Sequence, residues 1–375
     1  MWTGCGCCSS AMAELSHGLV SDERPAQSAA AGRGAEGEGE LAVQFDGRSS
    51  VVLRIEARYP LKLLHHINRH SQQLPADTVK LPRLPSHVPP VVQMVGYGGG
   101  LLGADRLSLN VRLAEHSSLL LTTPANGRAY KQQQPAYTTT ARSSSSRPSH
   151  FSSELRHTFH LGPSSLLLFV PSPLSLFARS SLATATTAHL HPTASLLLLD
   201  VIAGGRHTQG EQFGQSDYSA TTTLHFDGDG RVPALRDRTV LRGRQCEDEA
   251  AFGRYKARGT VLLLGPHLLP LAVQLFLAHN QRTVRKRARS AESAAVSTEC
   301  VVSAAWVCGH APELLPADYL VDSAAVERCL SGGRVSGGCL LRLLSVEVES
   351  LLHTVGQLLA PVDSHMQGVA PWQRV

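Results

Sequence analysis

The chain contains no C-x-x-C pair, and its eight cysteines do not form a framework. Cys5, Cys7 and Cys8 crowd the N-terminus, while Cys246, Cys300, Cys308, Cys329 and Cys339 are scattered through the second half. In a chain of 375 residues that spacing argues against a disulfide scaffold and for a reducing compartment, so a cytoplasmic location is expected. No apolar stretch reaches the roughly 18 residues a membrane helix needs, so no membrane association is expected. Residues 1–20 lack a basic start followed by a continuous apolar core and do not read as a signal peptide. There is no G-x-S-x-G elbow, P-loop or H-E-x-x-H, so nothing points to a hydrolase. Only 17% of residues are charged and the net charge is +5, weak grounds for a nucleic-acid partner. With 42% hydrophobic residues the chain can bury a large core, as one big domain or two smaller ones.

What stands out is one glycine-rich stretch, Gly96-Tyr-Gly-Gly-Gly-Leu-Leu-Gly-Ala-Asp105-Arg106. Gly98, Gly100 and Gly103 satisfy G-x-G-x-x-G, and the apolar run Val91 to Val95 precedes them. A dinucleotide-dependent enzyme is therefore one reading. That fingerprint needs a helix whose N-terminus faces the pyrophosphate. The continuation, Leu107-Ser-Leu109-Asn-Val111-Arg-Leu113, alternates with period two and predicts a strand instead. The acidic residue expected about 20 positions later is also missing. The glycines then read as a tight crossing where backbone approaches backbone. A second such feature, Gly204-Gly205-Arg206 followed by Gly210-Glu211, again comes after a buried-type strand, Ser195 to Ile202. Asp105 with Arg106, and Arg206 with Glu211, form the best polar constellation in the chain. Such pairs can be a structural network or a functional port.

Around these features the chain reads as follows. Residues 1–40, rich in Gly, Ala, Ser and Glu, predict a disordered leader, and the domain proper is expected over 41–375. His66 and His70 would share a face only if their segment were helical, leaving either a metal contact or a solvated loop. Low-complexity inserts are expected near 132–150 and 281–297. The second carries the basic run Arg282 to Arg289, a possible RNA contact or a solvated loop. Asp227-Gly-Asp-Gly230 predicts a turn, without the Glu of a calcium loop. Helices are expected at Leu268 to His279 and at Cys339 to Leu359. The total is about fifteen short strands with two helices and no α/β alternation. That pattern predicts a mostly-β, large stacked-sheet, β-helix-like single domain. No fixed-period repeat is visible.

The combination resembles the UreD/UreH family of urease accessory proteins. The resemblance is carried by YPLK at 59–62, VVQMVGYGGGLLGADRLSLNVRLAEHSSLLLTT at 91–123, AYK at 129–131, LLLLDVIAGGRHTQGE at 196–211 and ARGTVLLLGP at 257–266. It implies a non-enzymatic scaffold, without a tightly bound cofactor, that joins UreF-like and UreG-like proteins and delivers nickel to the urease apoprotein. It also implies an internal passage for the ion in transit. On that route the resemblance points to Asp105 and Glu211 as transient nickel ligands, with Arg206, Arg106 and Tyr97 as supporting groups. The chain departs from the family pattern at Pro124 and Arg128, where Gln and Lys are usual, and over residues 171–179.

Overall fold

The computed structural model describes residues 35–66, 84–124, 127–132, 152–206, 209–211, 213–215, 217–226, 233–243, 252–289, 300–307 and 337–374, with backbone only for 280–289 and 374. All of them lie in one compact unit, Gly32–Val375.

The architecture follows from strands that alternate between two sheets. The first sheet holds β1 (Glu36–Phe45), β2 (Ser50–Ala57), β5 (Arg106–Leu113), β8 (Ser153–Leu161), β11 (Ser181–Leu190), β13 (Asp217–Phe226) and β14 (Leu235–Arg242), in the order β14-β13-β11-β8-β5-β1-β2. The second holds β3 (Leu61–His66), β4 (Val91–Gly96), β6 (Ser118–Thr122), β9 (Leu166–Val170), β12 (Ser195–Ala203), β15 (Ala257–Leu264), β16 (Cys300–Val307) and β17 (Gly338–Ser345), in the order β16-β17-β15-β12-β9-β6-β4-β3. Two short strands, β7 (Gly127–Ala129) and β10 (Leu174–Leu176), pair with each other, and β10 joins the end of β12.

In the middle of the molecule each coil places one strand in each sheet. β4, β6, β9 and β12 run parallel in the second sheet, and β5, β8, β11 and β13 run parallel in the first. This is the β-helix-like stack that the strand pattern predicts. His160, His189 and His225, in register on three neighbouring strands, stack with ring centroids 5.0 and 5.2 Å apart. No fixed period shows in the sequence because coil lengths differ. Ser118 pairs with Leu166 and Leu166 with Ser195, so the first of these two steps is longer, by about the low-complexity segment at 132–150.

The unbroken apolar run of β12 is explained by its place. Leu196 and Leu198 face the first sheet, while Leu197, Leu199 and Val201 face helix α1 (Leu269–Arg289) and helix α2 (Val348–Leu359). A strand covered on both sides needs apolar residues at every position. Each fully buried leucine contributes about 1.5–3 kcal/mol relative to exposure.

Three expectations are corrected. The segment 338–345 is strand β17, not the first half of a helix, and the helix begins only at Val348. Cys339-Leu-Leu-Arg-Leu-Leu is a short apolar run of a kind whose periodicity suits a buried strand or a helix equally, and pairing with β15 and β16 decides it. The basic run lies on α1, whose backbone continues through Arg289, rather than in a loop. β1 starts at Glu36, inside the stretch read as leader, because Gly37 and Gly39 fit against Leu61 where a Cβ would not.

Candidate functional site

Because β4, β6, β9 and β12 are parallel, their C-terminal ends meet at one end of the stack. There the chain crosses from the second sheet to the first, and both glycine motifs are such crossings. After β4 the backbone makes a single 3-10 turn, Tyr97–Gly99, and then enters strand β5. A strand stands where a dinucleotide fold needs a helix, which overturns the nicotinamide reading. Gly98 and Gly99 take φ of 85° and 70°, open to glycine at little cost. At Gly100 a Cβ would lie 2.5 Å from the Arg128 carbonyl and 2.6 Å from the Tyr130 ring. Leu101 N–H donates to that same Arg128 carbonyl at 2.7 Å.

Asp105 closes this corner. Its carboxylate accepts from the Leu102 N–H at 2.9 Å and from the Ala35 N–H at 3.1 Å, so it ties the loop to the start of β1. The guanidinium of Arg106 is exposed and pairs with Glu36 at 3.2 Å. Tyr97 is half-exposed, its ring 5.1 Å from that of Tyr59.

The second corner is built likewise. Gly204 admits Phe213, whose ring a Cβ would meet at 2.7 Å. The Glu211 carboxylate accepts from the Arg206 N–H at 3.1 Å, from the Ala178 N–H at 3.3 Å and from the Arg206 guanidinium. Arg206 in turn covers the Phe177 ring at 4.9 Å. The Arg206 hydrogen bond, with the two backbone amides and against a smaller effect of burial, lowers the Glu211 pKa to about 2. A carboxylate with a depressed folded-state pKa stabilises above its ordinary value and loses that contribution as pH falls through the depressed one. The amide NMR signals of Arg206 and Ala178 are therefore expected to titrate together, with a midpoint between 4.5 and about 2. A midpoint at or above 4.5 would show that these bonds do not hold the loop in solution.

Between the sheets, at this same end, lies a cavity of about 300 Å³. Gly99, Gly100, Gly127 and Arg128 stand at its corner side. Most of its wall is apolar, but His157, Thr184, Thr186 and Thr222 from the first sheet face Asp200 from the second. Asp200 is the single carboxylate among the lining residues. It points inward because β12 alternates Leu196, Leu198, Asp200, Ile202 on its inner side. Burial raises its pKa above the usual carboxylate range; Arg258 opposes the rise and Asp237 adds to it. Burial pushes the His157 imidazole down to about 4, so it is neutral, and its Nδ1 lies 3.3 Å from the Thr186 hydroxyl. The buried Tyr218 hydroxyl lies near Asp200 and Thr184 without a full hydrogen bond to either. One carboxylate, one neutral imidazole and several hydroxyls can meet a divalent ion weakly. Among the described residues no group of three or more His, Cys, Asp or Glu is placed to hold a metal tightly.

The sequence-predicted residues thus fall at the two corners, and none of Asp105, Glu211, Arg206, Arg106 and Tyr97 lines the cavity. Sequence reasoning passed over Asp200 and His157. The signal for Asp200 was present: one charge interrupts an otherwise apolar strand, Ser195 to Ala203. His66 ends strand β3, so the helical pairing with His70 has no helix there; His70 itself lies outside the described residues. Cys5, Cys7, Cys8 and Asp227 to Gly230 also lie outside them. Among the described residues no helix is long and apolar enough to cross a membrane.

Comparison of the chain with known proteins points to one family. A family described as UreD urease accessory protein matches residues 35–375. Urease accessory protein 4 of Cryptococcus neoformans is 30% identical over 57% of this chain and 66% of its own length. Urease accessory protein UreD of Sorangium cellulosum is 27% identical over 64% of this chain and 66% of its own. Urease accessory protein D of Arabidopsis thaliana is 22% identical over 89% of this chain and 99% of its own. The chain thus spans just under two thirds of the first two relatives and nearly all of the third. With the family match running over both glycine corners, every cavity-lining strand and both helices, the chain belongs to the UreD family of urease accessory proteins.

Proposed function

We propose that this chain is a non-enzymatic scaffold of urease maturation, working in the cytoplasm with UreF-like and UreG-like partners, and that it passes nickel to the urease apoprotein through its inter-sheet cavity. The observation that carries this reading is Asp200, a lone carboxylate on the inner face of an apolar strand, bordering a cavity with room for a hydrated ion. A route needs ligands that bind and release. A single carboxylate with a neutral imidazole and hydroxyls exchanges for water more readily than a closed ligand cage. In this reading Asp105 and Glu211 frame the route by holding its two corners, and Asp200 meets the ion.

The test is co-expression of urease with and without this chain at limiting nickel. Omitting the chain is expected to lower active urease severalfold, with apo-urease abundance unchanged. Equal activation in both strains would sink the proposal.

A further inference from the structure

The polar groups of the cavity do not stop at its wall. Strand register sets them in two transverse rows, one on each sheet. On the first sheet His157 pairs with Thr186, Thr186 with Thr222, and Thr222 with Asp237 of the edge strand β14. On the second sheet Asp200 pairs with Thr260, Thr260 with Arg342, and Arg342 with Ser303 of the edge strand β16. The rows face each other across the sandwich and meet where Arg342 bonds Asp237 at 2.5 Å.

The row on the side away from the glycine corners shows that this is not general interior composition. One residue pair along the strands, the first sheet presents Phe159, Ala188, Leu224 and Leu235, and the second presents Leu198, Leu262 and Leu340. All of these but Leu235 are buried. An apolar seam would pack as these do, without the desolvation that a buried polar group costs. On the corner side the next row mixes Thr184, Thr239 and Arg258 with Leu155, Ala220, Ile202 and Leu344, so the polar lining spans the cavity end of the sandwich and stops at the apolar row. At its outer end the seam reaches solvent: the Arg342 side chain is 51% exposed and Asp237 17%.

We propose that this seam is a second access to the cavity, selective for small cations and held shut at rest by the Arg342–Asp237 ion pair. An arriving cation competes with the guanidinium for Asp237, and Asp200 is the next carboxylate inward. Thr260, Thr222 and Thr186 supply hydroxyl oxygens in place of lost hydration between them. The inference rests on the cavity being a route, but it adds a gate at the β14 and β16 edge of the two sheets.

The test reads access directly, in the full-length chain. Thr222→Cys places a thiol in the cavity wall. Its modification by a small cationic methanethiosulfonate and by the anionic sulfonate analogue is followed by mass spectrometry of the peptide carrying position 222, so the native cysteines do not interfere. Adding Arg342→Gln is expected to raise the cationic rate about tenfold or more and the anionic rate much less. Arg342→Lys, which keeps a cation beside Asp237, is expected to return the rate close to that of the parent. Unchanged unfolding midpoints establish that the gain is not general loosening. Equal cationic rates in the parent and the Arg342→Gln background would overturn the proposal. Urease activation, measured in the same strains, reads the cavity proposal separately, so the two can fail independently.

Discussion

Asp200→Asn is expected to leave the chain folded and more stable near neutral pH, yet to lower urease activation tenfold or more. Asp200 is half-buried against the cavity, and burial raises its folded-state pKa above the usual carboxylate range. A raised carboxylate pKa means that ionisation opposes folding. The wild-type chain loses stability as pH rises through the raised value, and the asparagine variant does not. The gain has the sign of that shift, because a pKa that differs between the folded and unfolded chain is a stability difference. It should vanish below the ordinary carboxylate range, where both forms are neutral. Thermal unfolding at pH 7.5 and pH 3.5 measures the first half of the prediction, and urease activation at limiting nickel the second. A variant that activates urease normally would remove Asp200 from the route. A variant less stable than wild type at neutral pH would show that Arg258 more than compensates the buried charge.

Gly100→Ala is expected to cost about 3 kcal/mol, the upper part of the range for forcing atoms into a packed site. The new methyl would meet a backbone carbonyl at 2.5 Å and a ring carbon at 2.6 Å, and the carbonyl belongs to Arg128 on β7. Relief requires moving β7 away from Leu101, which opens the cavity at the first corner. Gly98→Ala differs in mechanism, because nothing lies within 4 Å of its Cβ and the cost is the positive φ of 85° alone. That cost is about 1–2 kcal/mol. Chemical unfolding of the two variants separates them, and urease activation should fall further in Gly100→Ala. Equal destabilisation at the two positions would show that the corner yields without strain.

These two glycines show what was legible and why. Their pattern fits a phosphate cradle, and the strand that follows could already be read from the alternation Leu107, Leu109, Val111, Leu113. The physical role of each glycine could not be read, because Gly100 is constrained by a carbonyl 28 positions away in sequence, on another strand. The same holds for the polar corner residues. Asp105 and Glu211 stand out as charges beside glycine, and that identified the two crossings correctly. Whether a carboxylate faces a cavity or a backbone amide depends on where Ala35, Leu102, Ala178 and Arg206 come to lie. The misread helix at 339–345 has a related cause. An apolar run states that a segment is buried, and only its neighbours state whether it is paired edge to edge or packed face to face.

The sequence by itself determined the β-rich class, the two glycine crossings and the family, because period-two alternation and closely spaced glycines act over a few residues. The tertiary structure alone decided where the candidate site is. His157, Thr222, Asp237, Asp200, Thr260 and Arg342 come from six strands and form two facing rows only through cross-strand register. Register is a property of strand pairs, set by the packing of both sheets against each other, and no local pattern in the chain records it.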